Sequence, residues 1–186
     1  MVNNFLDSET YKNLQNAFNL ESIESTKYRI NAISARRDGY IQIGDLFDLT
    51  ARHEQEHADI WMKFMLQGNV PSTLENLQAA VETERYEGSD LYMQYAEKAL
   101  SEGYTDIANM FEGIAVIERH QQFRFNQLAA NIQNNQVFCK TRSMVWICII
   151  CGNLAWSDCA PEICPVCKYP QGYYQINCEN FLKKIF

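Results

Sequence analysis

The chain has 186 residues, with 16 lysines and arginines against 23 aspartates and glutamates, a formal net charge of −7. That length allows one ordinary domain, or one with a small appendage. The acidic balance, with no basic run or Arg/aromatic patch, argues against unaided binding to nucleic acid or anionic membranes.

No segment reaches the length of a membrane-spanning apolar run. The first ten residues are polar and acidic without an export signal, so the expected location is cytoplasmic. From about residue 7 to residue 132 helix breakers are sparse, and Leu14, Ala17, Phe18, Glu21, Tyr28 and Ala32 lie near one helical stripe. Asp7 or Ser8 can cap the first helix, and Asp38-Gly39 ends it, because glycine accepts the left-handed backbone needed just past a helix. A second predicted helix covers residues 41–67 and stops at Gly68-Asn69-Val70-Pro71. Ser72 or Thr73 caps a third that continues to Glu102-Gly103, and a fourth covers residues 105–131. Four such helices with polar outer faces predict an all-α four-helix bundle. Past Asn134 the pattern changes to short β-like runs, such as residues 144–150, punctuated by Cys, Gly and Pro. The expected division is therefore a bundle over residues 1–134, followed by a linker and a small β-rich metal domain over 135–186. A folded part of roughly 40 residues is too small to be stabilised by apolar burial alone, so a metal or a disulfide is expected there.

All seven cysteines lie within residues 135–186. Cys148-Ile149-Ile150-Cys151 and Cys164-Pro165-Val166-Cys167 are two knuckles separated by 12 residues. Each C-x-x-C turn points two sulfurs at one ion, and two turns complete a thiolate tetrahedron. Two disulfides are the bland alternative and fit a reducing cytosol poorly. Tetrahedral sulfur suits zinc and iron alike, so spacing does not choose between them. Trp146, Trp156, Tyr173 and Tyr174 are expected to form an aromatic shell, while Cys139, Cys159 and Cys178 lack paired spacing and read as packed or spectator thiols.

Within the helical part, Glu54 and His57 stand at i, i+3 on the second helix, where they share a face. Glu84 and Glu87 repeat that spacing on the third helix; Glu118 stands on the fourth and Glu21 on the first. A single such glutamate usually lies on a solvated helix face. Five converging near the apolar stripes of four helices would repel one another unless cations neutralised them, and two ferrous ions carry nearly the matching charge. One Glu from each of two helices with Glu-x-x-His from the others is the di-iron pattern of ferritin-like bundles.

Glu54-Gln55-Glu56-His57-Ala58, the segment from Glu84 to Tyr92, Glu102-Gly103-Tyr104, Ile114-Ala115-Val116 with Glu118, and Ala160-Pro161-Glu162-Ile163-Cys164-Pro165 resemble rubrerythrins. The resemblance implies a ferritin-like bundle holding a di-iron centre and a rubredoxin-like domain holding one iron on Cys148, Cys151, Cys164 and Cys167. It implies reduction of hydrogen peroxide to water in the bundle, with electrons relayed through the four-sulfur iron from an NAD(P)H-linked reductase or a rubredoxin. It further implies that Glu87 exchanges with His57 on one iron, and that Tyr28 and Tyr92 hydrogen-bond the carboxylates. One position departs from the family: three residues after Glu118 stands Gln121, and the histidine is displaced to His120. Two residues turn an α-helix by roughly 200°, so His120 is expected outside the site and Gln121 at it. The alternative function is therefore an electron-transfer or iron-handling, ferroxidase-like protein with a weakened di-iron site.

Assembly follows from a length. Glu54 precedes Gly68 by 14 residues and Glu84 follows Thr73 by 11, so parallel second and third helices would require a return of ~38 Å. The connection from Gly68 to Thr73 reaches at most ~18 Å. A homodimer with exchanged helix pairs resolves the mismatch; a simple up-down-up-down bundle is the other solution.

Overall fold

The computed structural model describes residues 4–178. Among them the chain divides after Pro71 into two compact units. The first is a helical hairpin of α1 (Glu9–Arg37) and α2 (Ile41–Met65). The Ser8 hydroxyl caps α1 by accepting from the Tyr11 N–H at 3.0 Å, and Asp38-Gly39-Tyr40 turns the chain, with Gly39 at φ 87°.

The second unit opens with α3 (Thr73–Tyr86), capped reciprocally by Ser72 and Glu75. Here the single helix expected from residue 73 to Glu102 is interrupted: a π turn occupies Glu87–Leu91 before α4 (Tyr92–Ser101). After Gly103, α5 (Thr105–Gln133) packs back on α3 and α4. A three-stranded antiparallel sheet follows, made of β1 (Cys139–Cys148), β2 (Leu154–Cys159) and β3 (Tyr174–Ile176) in the order β2-β1-β3. The chain is thus mostly helical, with a small sheet that carries the cysteines.

The two helical hairpins are repeats offset by 64 residues. Tyr28, Ala32, Ala35, Gly39, Tyr40, Phe47, Ala51 and Glu54 correspond to Tyr92, Ala96, Ala99, Gly103, Tyr104, Phe111, Ala115 and Glu118. Tyr28 stacks on Phe47 with centroids 5.9 Å apart, and Tyr92 stacks on Phe111 at the same 5.9 Å. The turns match as well: the Tyr40 N–H donates to Ala35 O at 2.8 Å and the Tyr104 N–H to Ala99 O at 2.9 Å. The correspondence slips by one residue before these tyrosines, since Glu21 to Tyr28 is seven steps and Glu84 to Tyr92 is eight. The π turn holds the additional residue, as a widened i→i+5 turn must.

Both hairpins close on small side chains. Ala32, Ala35, Ala51 and Ala58 are buried in one, and Ala96, Ala99, Ala108 and Ala115 in the other. Small residues let helix backbones approach closely, while the large apolar side chains point elsewhere. Ile33 and Leu46 remain 68 % and 62 % exposed, and Met110 and Phe123 remain 65 % and 60 % exposed.

In the sheet, Trp146, Cys148, Ala160, Cys164 and Tyr174 form the buried core, with Phe138, Met144 and Ile176 packed against it. The Trp146 indole N–H donates to Ser157 O at 3.0 Å. The expected aromatic shell is only half present, since Trp156 is 70 % exposed and Tyr173 39 %. The reading of Cys139 and Cys159 as spectator thiols is corrected: they face each other across β1 and β2 and form a disulfide. The β1–β2 register slips between Cys139 and Met144, so the covalent bond holds the ladder beyond the irregularity. Cys178 is an exposed free thiol.

Candidate metal centres

Two knuckles of matching geometry build the sulfur site. The N–H of Cys148 donates to Asn153 O at 2.9 Å and that of Gly152 to Cys148 O at 2.8 Å; correspondingly, the Cys164 N–H reaches Tyr169 O at 2.8 Å and the Lys168 N–H reaches Cys164 O at 3.0 Å. The fifth residue of each knuckle takes positive φ, 75° at Gly152 and 65° at Lys168. These turns bring the four sulfurs within 4.8 Å of one another, with Cys148–Cys167 and Cys151–Cys164 both at 3.6 Å. A tetrahedron with metal–sulfur bonds of about 2.3 Å has edges of ~3.8 Å, so the cage already has the size of a tetrahedral ion site.

The sulfurs respond to different surroundings. Burial works against ionising Cys164, but the Tyr174 hydroxyl and the N–H groups of Cys167 and Val166 outweigh it and draw that thiol down to about 6. At Cys167 the Tyr169 N–H favours the thiolate, yet burial and hydrogen bonds with Cys151, Cys164 and Cys148 push it up to about 12. Without a cation, the cluster keeps protons between its sulfurs; a metal takes their place.

The helical carboxylates form two groups, one in each unit. In the first, ligand atoms of Glu21, Glu54 and His57 lie within 4.8 Å of one another. His57 Nδ1 is 2.9 Å from Glu54 Oε2 and 3.7 Å from Glu21 Oε2. The Glu21 and Glu54 side chains are only 23 % and 18 % exposed, whereas His57 is 49 % exposed. In the second unit Glu84, Glu87 and Glu118 converge within the same 4.8 Å limit. Burial, and then a hydrogen bond and charge repulsion from Glu118 with repulsion from Glu87, push the Glu84 carboxyl above the ordinary glutamate value. Carboxylates that close favour the protonated form of Glu84 in the absence of a cation.

Gln121 occupies the repeat position of His57, and its amide donates to Glu118 Oε2 at 2.8 Å. His120 is exposed and stands outside the carboxylate group. The π turn supplies Glu87, and its geometry rests on Gly88: a Cβ there would lie 2.9 Å from the Arg119 backbone nitrogen and 3.0 Å from Ala115 O. Arg119 Nη1 donates to Gly88 O at 2.5 Å, satisfying a carbonyl at the turn. Tyr92 borders this group; burial first, then Glu87 and Glu118, raise its phenol, which keeps its proton at neutral pH. The contact that positions Tyr28 is its stack on Phe47.

A family model described as Rubrerythrin matches residues 12–129, with an overlapping match over 75–145. The chain is 36 % identical over 189 residues to Rubrerythrin-1 of Clostridium acetobutylicum, covering 94 % of this chain and 97 % of that one. The chain belongs to the rubrerythrin family. It is also similar to the rubrerythrin of Porphyromonas gingivalis, 38 % identical over 90 % of both chains. To the rubrerythrin of Nitratidesulfovibrio vulgaris it is 34 % identical over 91 % of this chain and 94 % of the relative. Rubrerythrins bind iron, and the donors here fit that metal: a four-sulfur cage for a rubredoxin-like site, and carboxylate and imidazole groups for a di-iron site. Among the described residues no helix is long and apolar enough to cross a membrane.

The features that spacing did not reveal are the π turn, the Arg119–Gly88 contact, the Cys139–Cys159 bond and the burial of Tyr174 in one cluster with Cys164. Only the first had a signal in the sequence, the extra step between Glu84 and Tyr92 relative to Glu21 and Tyr28.

Proposed function

We propose that this rubrerythrin-family protein reduces hydrogen peroxide to water at a di-iron centre, using electrons delivered through iron on Cys148, Cys151, Cys164 and Cys167. The observation that carries the reading is the pair of complementary three-donor groups, Glu21/Glu54/His57 and Glu84/Glu87/Glu118, at corresponding places in two repeats. Neither alone offers the donors a two-metal site needs. Bound iron would supply the electrons that cleave the O–O bond. Tyr92 and Tyr28 orient the carboxylates, and His57 and Glu87 are the alternating donors to one metal position. Residues 1–134 and 135–186 act as catalytic and electron-relay domains, and the electron source is an NAD(P)H-linked reductase or a rubredoxin-type donor in the cytoplasm.

The assembly proposed is a homodimer in which each centre takes Glu21, Glu54 and His57 from one protomer and Glu84, Glu87 and Glu118 from its partner. Two facts support it. Only seven residues separate Met65 from Thr73, and large apolar side chains such as Ile33, Leu46, Met110 and Phe123 stay uncovered in the single chain. Mixing Glu54→Ala and Glu84→Ala chains tests this, since a swapped heterodimer regains one intact centre. A fully metallated monomer would disprove the exchange.

A second reading is favoured by Gln121. Its amide donates to Glu118 and offers no imidazole, which weakens one metal position and suits an electron carrier or a ferroxidase-like iron-handling protein. Peroxide consumption coupled to a reductase, measured beside oxygen consumption and iron stoichiometry, separates the two. About three irons per chain with rapid peroxide turnover supports the first; two irons without turnover supports the second.

A further inference from the structure

The sulfur cage contains one donor beyond its knuckles. Tyr174 opens β3, pairs with Cys148 across the sheet and is 4 % exposed. Its hydroxyl oxygen accepts from Asn153 Nδ2 at 2.8 Å. Asn153 is itself fixed behind the first knuckle, because its carbonyl accepts the Cys148 N–H at 2.9 Å. The oxygen is occupied by Asn153, which leaves the phenolic proton for another acceptor, and the fully buried Cys164 sulfur lies in the same core cluster as Tyr174. A buried phenol needs such a partner.

We infer that Tyr174 is a potential-setting residue: its hydroxyl, held by Asn153, donates to the Cys164 thiolate and favours the reduced state of the four-sulfur iron. The inference rests on the reading of Cys148, Cys151, Cys164 and Cys167 as an iron site. Reduction adds negative charge that is shared by the ligand sulfurs, so an O–H donor is held more strongly in the ferrous state than in the ferric state. Hydrogen bonds to ligand sulfur act on iron–sulfur potentials in this sense, and the buried surroundings strengthen them. Asn153 adds to the effect, because donation to the phenol oxygen polarises its O–H bond. Tyr174→Phe removes one oxygen from the core without altering the ring.

The test is a redox titration of the iron-reconstituted full-length protein, followed by its ferric-thiolate absorption. Tyr174→Phe is expected to lower the midpoint potential by about a tenfold change in the one-electron equilibrium, ~59 mV. Asn153→Ala is expected to lower it by less. A Phe variant with intact ferric-thiolate absorption and the parent potential would overturn the inference. Where Tyr174→Phe fails to retain iron, 3-fluorotyrosine incorporated at position 174 decides: its more acidic hydroxyl should raise the potential, and an unaltered value refutes the role. Failure of the parent protein to develop ferric-thiolate absorption on reconstitution would instead refute the iron reading on which the inference depends.

Discussion

Gln121→His tests the departure most specific to this chain. Residue 121 follows Glu118 by three, which turns an α-helix by about 300° and keeps both side chains on one face. The first repeat demonstrates the geometry: at the corresponding positions His57 Nδ1 lies 2.9 Å from Glu54 Oε2. In the second, the Gln121 amide already reaches Glu118 Oε2 at 2.8 Å, so an imidazole placed there needs no backbone change. Outer hydrogen-bond partners of metal ligands are worth about 10–100-fold in affinity, and a direct nitrogen ligand should contribute at least that. The expected result is iron retained against a chelator at ~10–100-fold higher competitor concentration, equivalent to about 1.4–2.8 kcal/mol, with faster peroxide turnover. His120→Ala is the control and should leave iron content unchanged, because His120 is exposed and outside the group. Loss of a metal in His120→Ala together with no change in Gln121→His would refute the reasoning, and would mean that α5 winds differently from an α-helix near Glu118.

Further predictions concern stability. Gly88→Ala places a Cβ 2.9 Å from the Arg119 backbone nitrogen, so overpacking should cost ~1–3 kcal/mol by chemical denaturation, and iron affinity should fall with Glu87 displaced; an unchanged midpoint and unchanged affinity would contradict the close approach. Removing the cross-link with Cys139→Ser, across a separation of 20 residues, should cost the metal-free protein ~3 kcal/mol, and a thiol reductant should reproduce the loss in the parent but not in the variant. Glu84 has a folded-state value above the ordinary glutamate value of 4.5. Its protonated form is thus favoured by folding, and that contribution is present below 4.5 and lost as pH rises through the raised value. Glu84→Gln should therefore flatten the pH dependence of the metal-free melting temperature from about pH 4.5 upward; an identical slope in the variant and the parent would contradict the assignment.

The helices were legible because their ends are marked by residues with few alternatives. Gly39 and Gly103 take positive φ just past α1 and α4, and Ser72 with Glu75 makes a reciprocal cap. The sulfur cage was legible because local spacing alone aims each pair of cysteines. Other features depend on contacts that spacing does not encode. Cys139 meets Cys159 only through a strand register that includes an irregularity. Tyr174 joins Cys164 in the buried cluster only because β3 adds to the edge of β1. The π turn lies between these cases, since nothing in the composition of Glu87–Leu91 sets it apart, and only alignment of the repeats shows the additional residue.

That additional residue bears on why the second repeat lacks a histidine. Each repeat offers three metal-ligating groups, but Glu21, Glu54 and His57 carry two carboxylates, whereas Glu84, Glu87 and Glu118 carry three. The π turn has added an anionic donor to the repeat in which Gln121 stands at the imidazole position. Donor number is thereby kept while negative charge is gained, and in the metal-free chain that excess raises Glu84 through Glu118 and Glu87 in addition to burial. Protons compete with a cation for the second group, so its affinity should rise with pH through the raised Glu84 value. In Gln121→His the three carboxylates remain, so tighter binding there should keep the same direction of pH dependence. A gain in affinity accompanied by loss of that dependence would mean that the imidazole had replaced a carboxylate at the metal instead of joining the group.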